Sequence, residues 1–224
     1  MVFHVKHSIL FLSLSLFHPI AISQVQVTIQ DKPLAIIVPR VRQIERTLYS
    51  FSHYRSLDSL EQEFFYWVNH LRSNPPDFAD KILVKYLEQF PEMTSSSSND
   101  LLKELYSLEG LPLFIPESGL SSVAGKHALD LAQNNRSLSH VGSKGRDFAT
   151  RIRELGGFKC ASENLYEGRP HALEALIILL IDHGIPGFGH RRAILNPSHS
   201  KMGCSIVQRP DNGMYIFVQV FSCQ

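Results

Sequence analysis

The strongest constraint on the fold lies near the end of the chain. MGCSIVQ (202–208) and MYIFVQVFS (214–222) are apolar, β-rich runs separated by RPDNG. Asn212-Gly213 suits a tight turn whose residues take positive φ, so the two runs predict an antiparallel hairpin. Upstream the period changes. Leu57, Leu60, Phe64, Val68 and Leu71 recur at helical spacing. Helices first and paired strands last argue for an α+β fold.

The helix beginning near Asp58 has a capping residue at Asp58 or Ser59, with Glu61 or Gln62 three residues on. Asn74-Pro75-Pro76 stops it, and Asp77 starts a second helix that ends before Pro91. TSSSSND (94–100) reads as a flexible loop, and Asp100 caps a short helix, LLKELYSL. Ser118 opens the next helix, with Leu120, Val123, His127, Ala128 and Leu131 on its inner stripe. NNRSLSHVGSKG is a polar turn. Phe148, Ile152 and Leu155 mark a short helix closed by Gly156-Gly157. FKCASENLY (158–166) reads as a strand, HALEALIILLID as a buried helix, and HRRAILNP as a helical turn stopped by Pro197.

The first residues read as a secretory signal peptide, 1–23. Lys6 is basic, Ile9 to Phe17 is a short apolar run, and Ala21-Ile22-Ser23 supplies small residues for cleavage. No later run is long and apolar enough for a membrane span; Ala175 to Ile181 is about two turns of helix. Residues 24–56 hold two short strand-like runs, VQVTI and LAIIV, interrupted by Pro33 and Pro39. This stretch reads as a loosely packed N-terminal extension. The domain then covers 57–224. About 200 mature residues suffice to bury a core of their own. The expected destination is secreted, extracellular.

Lys and Arg total 22 against 21 for Asp and Glu, with no basic run. That excludes a nucleic-acid footprint. Three cysteines, Cys160, Cys204 and Cys223, allow one bond in an oxidising compartment. The hairpin sets Cys204 opposite residues near Val220 and not opposite Cys223, so Cys160–Cys204 is the pairing this reading favours. Asn135-Arg136-Ser137 is a glycosylation sequon.

Three polar segments carry chemistry: LSHVGSKG, ASENLYEG and GFGHRRAILNP, with His140, Glu163 and His190. Two imidazoles, a carboxylate and an open position for water suit Zn²⁺ or another divalent metal. The same groups suit metal-free acid/base work, with Glu163 as candidate base. The structural alternative is that all three cap turns and bond backbone. His127 reads as a core histidine or one that positions a ligand, His199 as an exposed loop residue, and Asn164 as a backbone-bonding side chain. Arg191 and Arg192 fall at a helix start, where they can pair with Asp182 or Glu163. Cys160 reads as a disulfide half or core residue.

The ordered set HALD, SHVG, ENLY, IDHG, GHRRAILNP, MGCSI and YIFVQVF resembles the CAP superfamily of secreted proteins, which includes cysteine-rich secretory, venom-allergen and plant pathogenesis-related proteins. FFYWVNHLRSNPPDFAD is similar to the helix end of its cysteine-poor microbial branch. The resemblance runs from about Asp58 to Phe221. It implies a three-layer α-β-α sandwich with a central, mostly antiparallel sheet. It implies a cleft where His140, Glu163 and His190 hold a divalent metal, with Asp182 as the fourth position and His183 next in line. Ser162 replaces the family's usual glycine. The resemblance also implies a lipid or sterol as a second ligand. A metal-assisted hydrolase or peptidase, and an extracellular interaction domain with a vestigial cleft, are the alternative functions.

Overall fold

A computed structural model describes residues 32–156, 158 and 160–223. The expected signal peptide and VQVTI lie outside the described residues. Residues 32–41 carry no regular structure, so LAIIV is not a strand. Pro33 and Pro39 flank it and cannot donate to a ladder.

Two short helices follow, α1 (Arg42–Ser50) and α2 (Ser52–Ser56). Ile44, Leu48 and Tyr54 are buried. Arg40 lies 3.5 Å from the centre of the Tyr66 ring and pairs with Glu63 at 2.8 Å. The expectation of a loose extension therefore fails for residues 40–56. Too few apolar residues mark these helices for their period to show.

The long helix α3 (Ser59–Ser73) starts at a capping box: Asp58 accepts from the Glu61 N–H, and Glu61 accepts from the Asp58 N–H. Asn74 ends it and caps α4 (Pro75–Phe78), with prolines in the first turn, where no donor is lost. A π-helical turn, Ala79–Leu83, carries the chain into α5 (Val84–Gln89). The expected loop at 94–100 is instead the start of α6 (Ser96–Ser107), capped by Ser95 and Ser98. A serine run supplies its own capping box, which a composition-based reading misses.

Strand β1 (Ile115–Pro116) leads to α7 (Ser118–Gln133) and α8 (Phe148–Glu154). Strand β2 (Ser162–Gly168) begins later than expected, because Cys160 takes φ 43° and breaks the extended run. The buried helix α9 (Ala172–Ile181), α10 (Gly189–Leu195), β3 (Lys201–Gln208) and β4 (Tyr215–Ser222) complete the chain. The sheet order is β1-β3-β4-β2, antiparallel except for β1 beside β3. The hairpin forms as expected, with Gly213 at φ 73°.

Three layers result. Ile216, Val218 and Val220 of β4 face α7 and join Leu120, Val123, Ala128 and Leu131 in one core cluster. The alternate residues Phe217 and Phe221 face the other way, against Phe64, Tyr166 and Phe114. At Gly203 of β3 a Cβ would collide with the backbone of Leu120 and Ser121, so only glycine lets α7 sit this close.

The disulfide joins Cys160 to Cys223, with Cα atoms 5.9 Å apart, and Cys204 is buried and free. This corrects the favoured Cys160–Cys204 pair. Strand β4 separates β2 from β3, so those two cysteines are not neighbours. Ser162 faces Phe221, and the same register carried two residues outward sets Cys160 against Cys223. Cys204 faces Gln219, near the residue anticipated. Burial pushes its thiol well above the usual range.

One seam fixes α10. The buried Arg72 donates to the carbonyls of Pro112, Ile194, Asn196 and His199 at 2.7–3.1 Å. Burial pulls its guanidinium down to about 10. His199 is buried in this seam, not exposed as its polar surroundings suggest. Its ring nitrogens lie 3.0 Å from the carbonyl oxygens of Ala193 and Cys160, and it stacks on Phe221. The disulfide and Arg72 together draw the 196–200 turn inward.

Candidate functional site

Strand β2 organises the polar residues. Glu163 points toward α7 and α8, and its side chain is 1% exposed. One Arg151 nitrogen, Nη2, donates to both its oxygens, at 2.8 and 2.7 Å. His140 Nδ1 lies 2.9 Å from Oε1. A carboxylate accepts, so Nδ1 carries the proton and Nε2 of neutral His140 keeps its lone pair. The His140 side chain is 54% exposed. Arg151 also donates to the carbonyls of His140 and Arg146, which ties the 140–146 loop to α8.

His127, on α7, is buried, as expected for a positioning or core residue. Its Nε2 donates to the Ser139 carbonyl at 2.8 Å, one residue before His140, and lies 4.0 Å from Glu163. Burial holds its pKa below the usual histidine range, against the pull of Glu163.

The second centre forms between α9 and α10. Asp182 caps α9 at φ 53°, a left-handed conformation that Asp tolerates better than most residues. This turn swings the carboxylate over the start of α10. Oδ2 accepts from the backbone N–H of His190 at 2.9 Å and of Arg191 at 3.3 Å, and Oδ1 lies 2.7 Å from His190 Nδ1. His190, like His140, therefore presents Nε2 as its free nitrogen. Asn164, the next residue after Glu163, donates to the His190 carbonyl at 3.1 Å, the backbone-fixing role expected of it.

The arginine pairing differs from expectation. The Arg191 side chain pairs with Glu104 at 3.3 Å, and only its backbone N–H reaches Asp182. It donates to the carbonyls of Leu180, Ile181 and Ser97, closing the end of α9 where cations are favoured. Arg151 is the partner of Glu163, a role the sequence does not signal. His183 is exposed.

Among the described residues, no group of three or more His, Cys, Asp or Glu side chains is gathered to hold a metal ion. The Nε2 atoms of His140 and His190 are suitable donors, but Glu163 is not, because a guanidinium already occupies both its oxygens.

A model of the cysteine-rich secretory protein (CAP) family matches residues 65–221. The chain belongs to the CAP family. Several solved structures resemble it loosely. An extracellular protein containing an SCP domain from Bacillus anthracis is 25% identical, with a TM-score of 0.42, over 51% of this chain and 35% of that one. An outer surface protein of Borrelia burgdorferi is 24% identical, with a TM-score of 0.43, over 63% and 92%. Venom allergen-like protein 4 of Schistosoma mansoni is 11% identical, with a TM-score of 0.47, over 74% and 89%. This chain thus spans about a third of the Bacillus protein's length. A search of the curated proteins finds no match. The α-β-α sandwich expected of a CAP domain is the fold observed, and no described helix is long and apolar enough to cross a membrane.

Proposed function

We propose that this CAP protein is an exported binding protein whose working atoms are the Nε2 nitrogens of His140 and His190. Zn²⁺ or a similar divalent metal is the ligand class they suit. The observation that carries the reading is the pair of carboxylate–imidazole contacts, Glu163 with His140 and Asp182 with His190. A carboxylate on Nδ1 fixes the tautomer and ring orientation of a metal-binding histidine and raises its basicity. Glu163 and Asp182 then act as orienting groups, where the family resemblance implies ligands. Both histidines are anchored on consecutive residues of β2, His140 by Glu163 and His190 by Asn164.

Export is supported by the basic, apolar and small-residue order of residues 1–23 and by the Cys160–Cys223 bond. A lipid or sterol is a second ligand class, favoured by Leu138 and Val141, both exposed beside His140 in the chain. The hydrolase alternative is weaker, because a carboxylate bonded through both oxygens to a guanidinium is a poor base.

Calorimetric Zn²⁺ titration of the purified protein tests the metal reading. His140→Ala and His190→Ala should each weaken binding about tenfold or more, and His183→Ala should leave it unchanged. Binding should also weaken near pH 5, where imidazoles protonate. A wild type that takes no Zn²⁺, or a His183→Ala variant as impaired as the others, sinks it.

A further inference from the structure

Helix α7 ends in a turn that leaves one side chain unused. Asn134 closes the helix, and Asn135 follows at φ 49°. The Arg136 N–H donates to the Leu131 carbonyl at 3.0 Å, and the Asn135 N–H to the Ala132 carbonyl at 3.3 Å. This is the left-handed helix ending in which glycine is usual and asparagine is tolerated. Only the backbone of Asn135 takes part, so the turn gives no reason for its carboxamide.

That carboxamide is free to react. Its neighbour Asn134 is held, with Nδ2 donating to the Asp130 carbonyl at 2.8 Å and to the Asp130 carboxylate at 3.1 Å. Asn135 is exposed and makes no side-chain hydrogen bond among the described residues. Ser137, two residues on, is exposed as well, and its hydroxyl is likewise unbonded among them. The buried Arg209 donates to the Arg136 carbonyl between the two. This pins the loop from behind, while Asn135 and Ser137 stay exposed. Asn135-Arg136-Ser137 is also the only Asn-x-Ser/Thr triplet of the chain without a proline at its centre. A bulky polymer attached to an exposed loop displaces no core residue.

We propose, building on the export reading, that Asn135 is an N-glycosylation site filled as the chain is exported. The Asn135 amide nitrogen forms a bond to the anomeric carbon of a lipid-diphosphate-linked oligosaccharide. The anomeric C–O bond breaks, the lipid diphosphate leaves with the electron pair, and the amide proton passes to a base on the transferase. The Ser137 hydroxyl is the group recognised two residues on. The glycan then stands on the loop that leads to His140, and it does not depend on a metal.

The test is peptide mass mapping of the full chain, expressed in a glycosylating eukaryotic host, before and after treatment with peptide-N-glycosidase. Wild type, Asn135→Gln and Ser137→Ala are compared, each with its own leader and with an unrelated secretory leader fused ahead of it. Gln at a φ near 49° strains the turn, whereas Ser137→Ala leaves Asn135 in place, so the serine variant decides. Exported wild type should carry a glycan at Asn135, which the glycosidase removes to leave aspartate. Both variants should lose it, and Asn196 should stay bare in all, because Pro197 follows it. Exported wild type with a bare Asn135 overturns the inference, and so does a glycan at Asn135 that survives Ser137→Ala. A chain exported and glycosylated only behind the unrelated leader supports the site and refutes the export reading.

Discussion

The two histidine–carboxylate pairs reach the same local arrangement by different means. Glu163 sits on a strand, and its charge is met by the Arg151 side chain. Its histidine stands on an irregular loop and is 54% exposed. Asp182 sits at a helix end, and backbone N–H groups at the start of α10 meet its charge. Its histidine belongs to a helix and is 21% exposed. One centre depends on a buried guanidinium, the other on backbone donors. The first should be sensitive to losing its charge, and the second more tolerant, since backbone donors carry no formal charge to strand.

Side-by-side urea denaturation can break this contrast. Glu163→Gln leaves Arg151 buried without its counter-charge and should cost on the order of 3 kcal/mol. Asp182→Asn keeps an acceptor oxygen for the backbone N–H groups and should cost on the order of 1 kcal/mol. Equal costs would remove the distinction between the centres.

Acidity gives a smaller effect that sharpens it. Burial lowers the pKa of His70 as well as that of His127. In the unfolded chain both titrate near about 6.5. Just below that pH the unfolded state binds more protons than the folded state. The stability this confers is full above about 6.5 and is lost as pH falls toward the lower folded values. The melting temperature should drop between pH 7.5 and 5.5, and His70→Phe should flatten the slope. A melting temperature that rises on acidification contradicts the assignment.

The sequence carries the hairpin, the long helices and the family membership, because each rests on local signals: Asn212-Gly213, the Asp58 capping box and the GHRRAILNP run. It carries His140, Glu163 and His190 as polar residues at element ends. It does not carry what depends on strand order. Cys160 meets Cys223 because β4 lies between β2 and β3, and no spacing announces that. His199 looks exposed because its neighbours are polar, yet four carbonyls gathered by Arg72 hold its turn inside. Arg151 is invisible as the partner of Glu163, since an arginine in a short amphipathic helix normally faces solvent. The N-terminal helices were obscured by prolines and by a stripe of only two apolar residues, Ile44 and Leu48.

His140 and His190 are held at Nδ1 by carboxylates and offer Nε2. Long-range ¹H–¹⁵N correlation spectra of the histidine rings, recorded at mildly alkaline pH without added metal, test it most directly. His140 and His190 should both show the Nδ1–H tautomer, while His127, bonded to Ser139 through Nε2, shows the opposite one in the same spectrum. An Nε2–H tautomer at His140 or His190 would contradict the account.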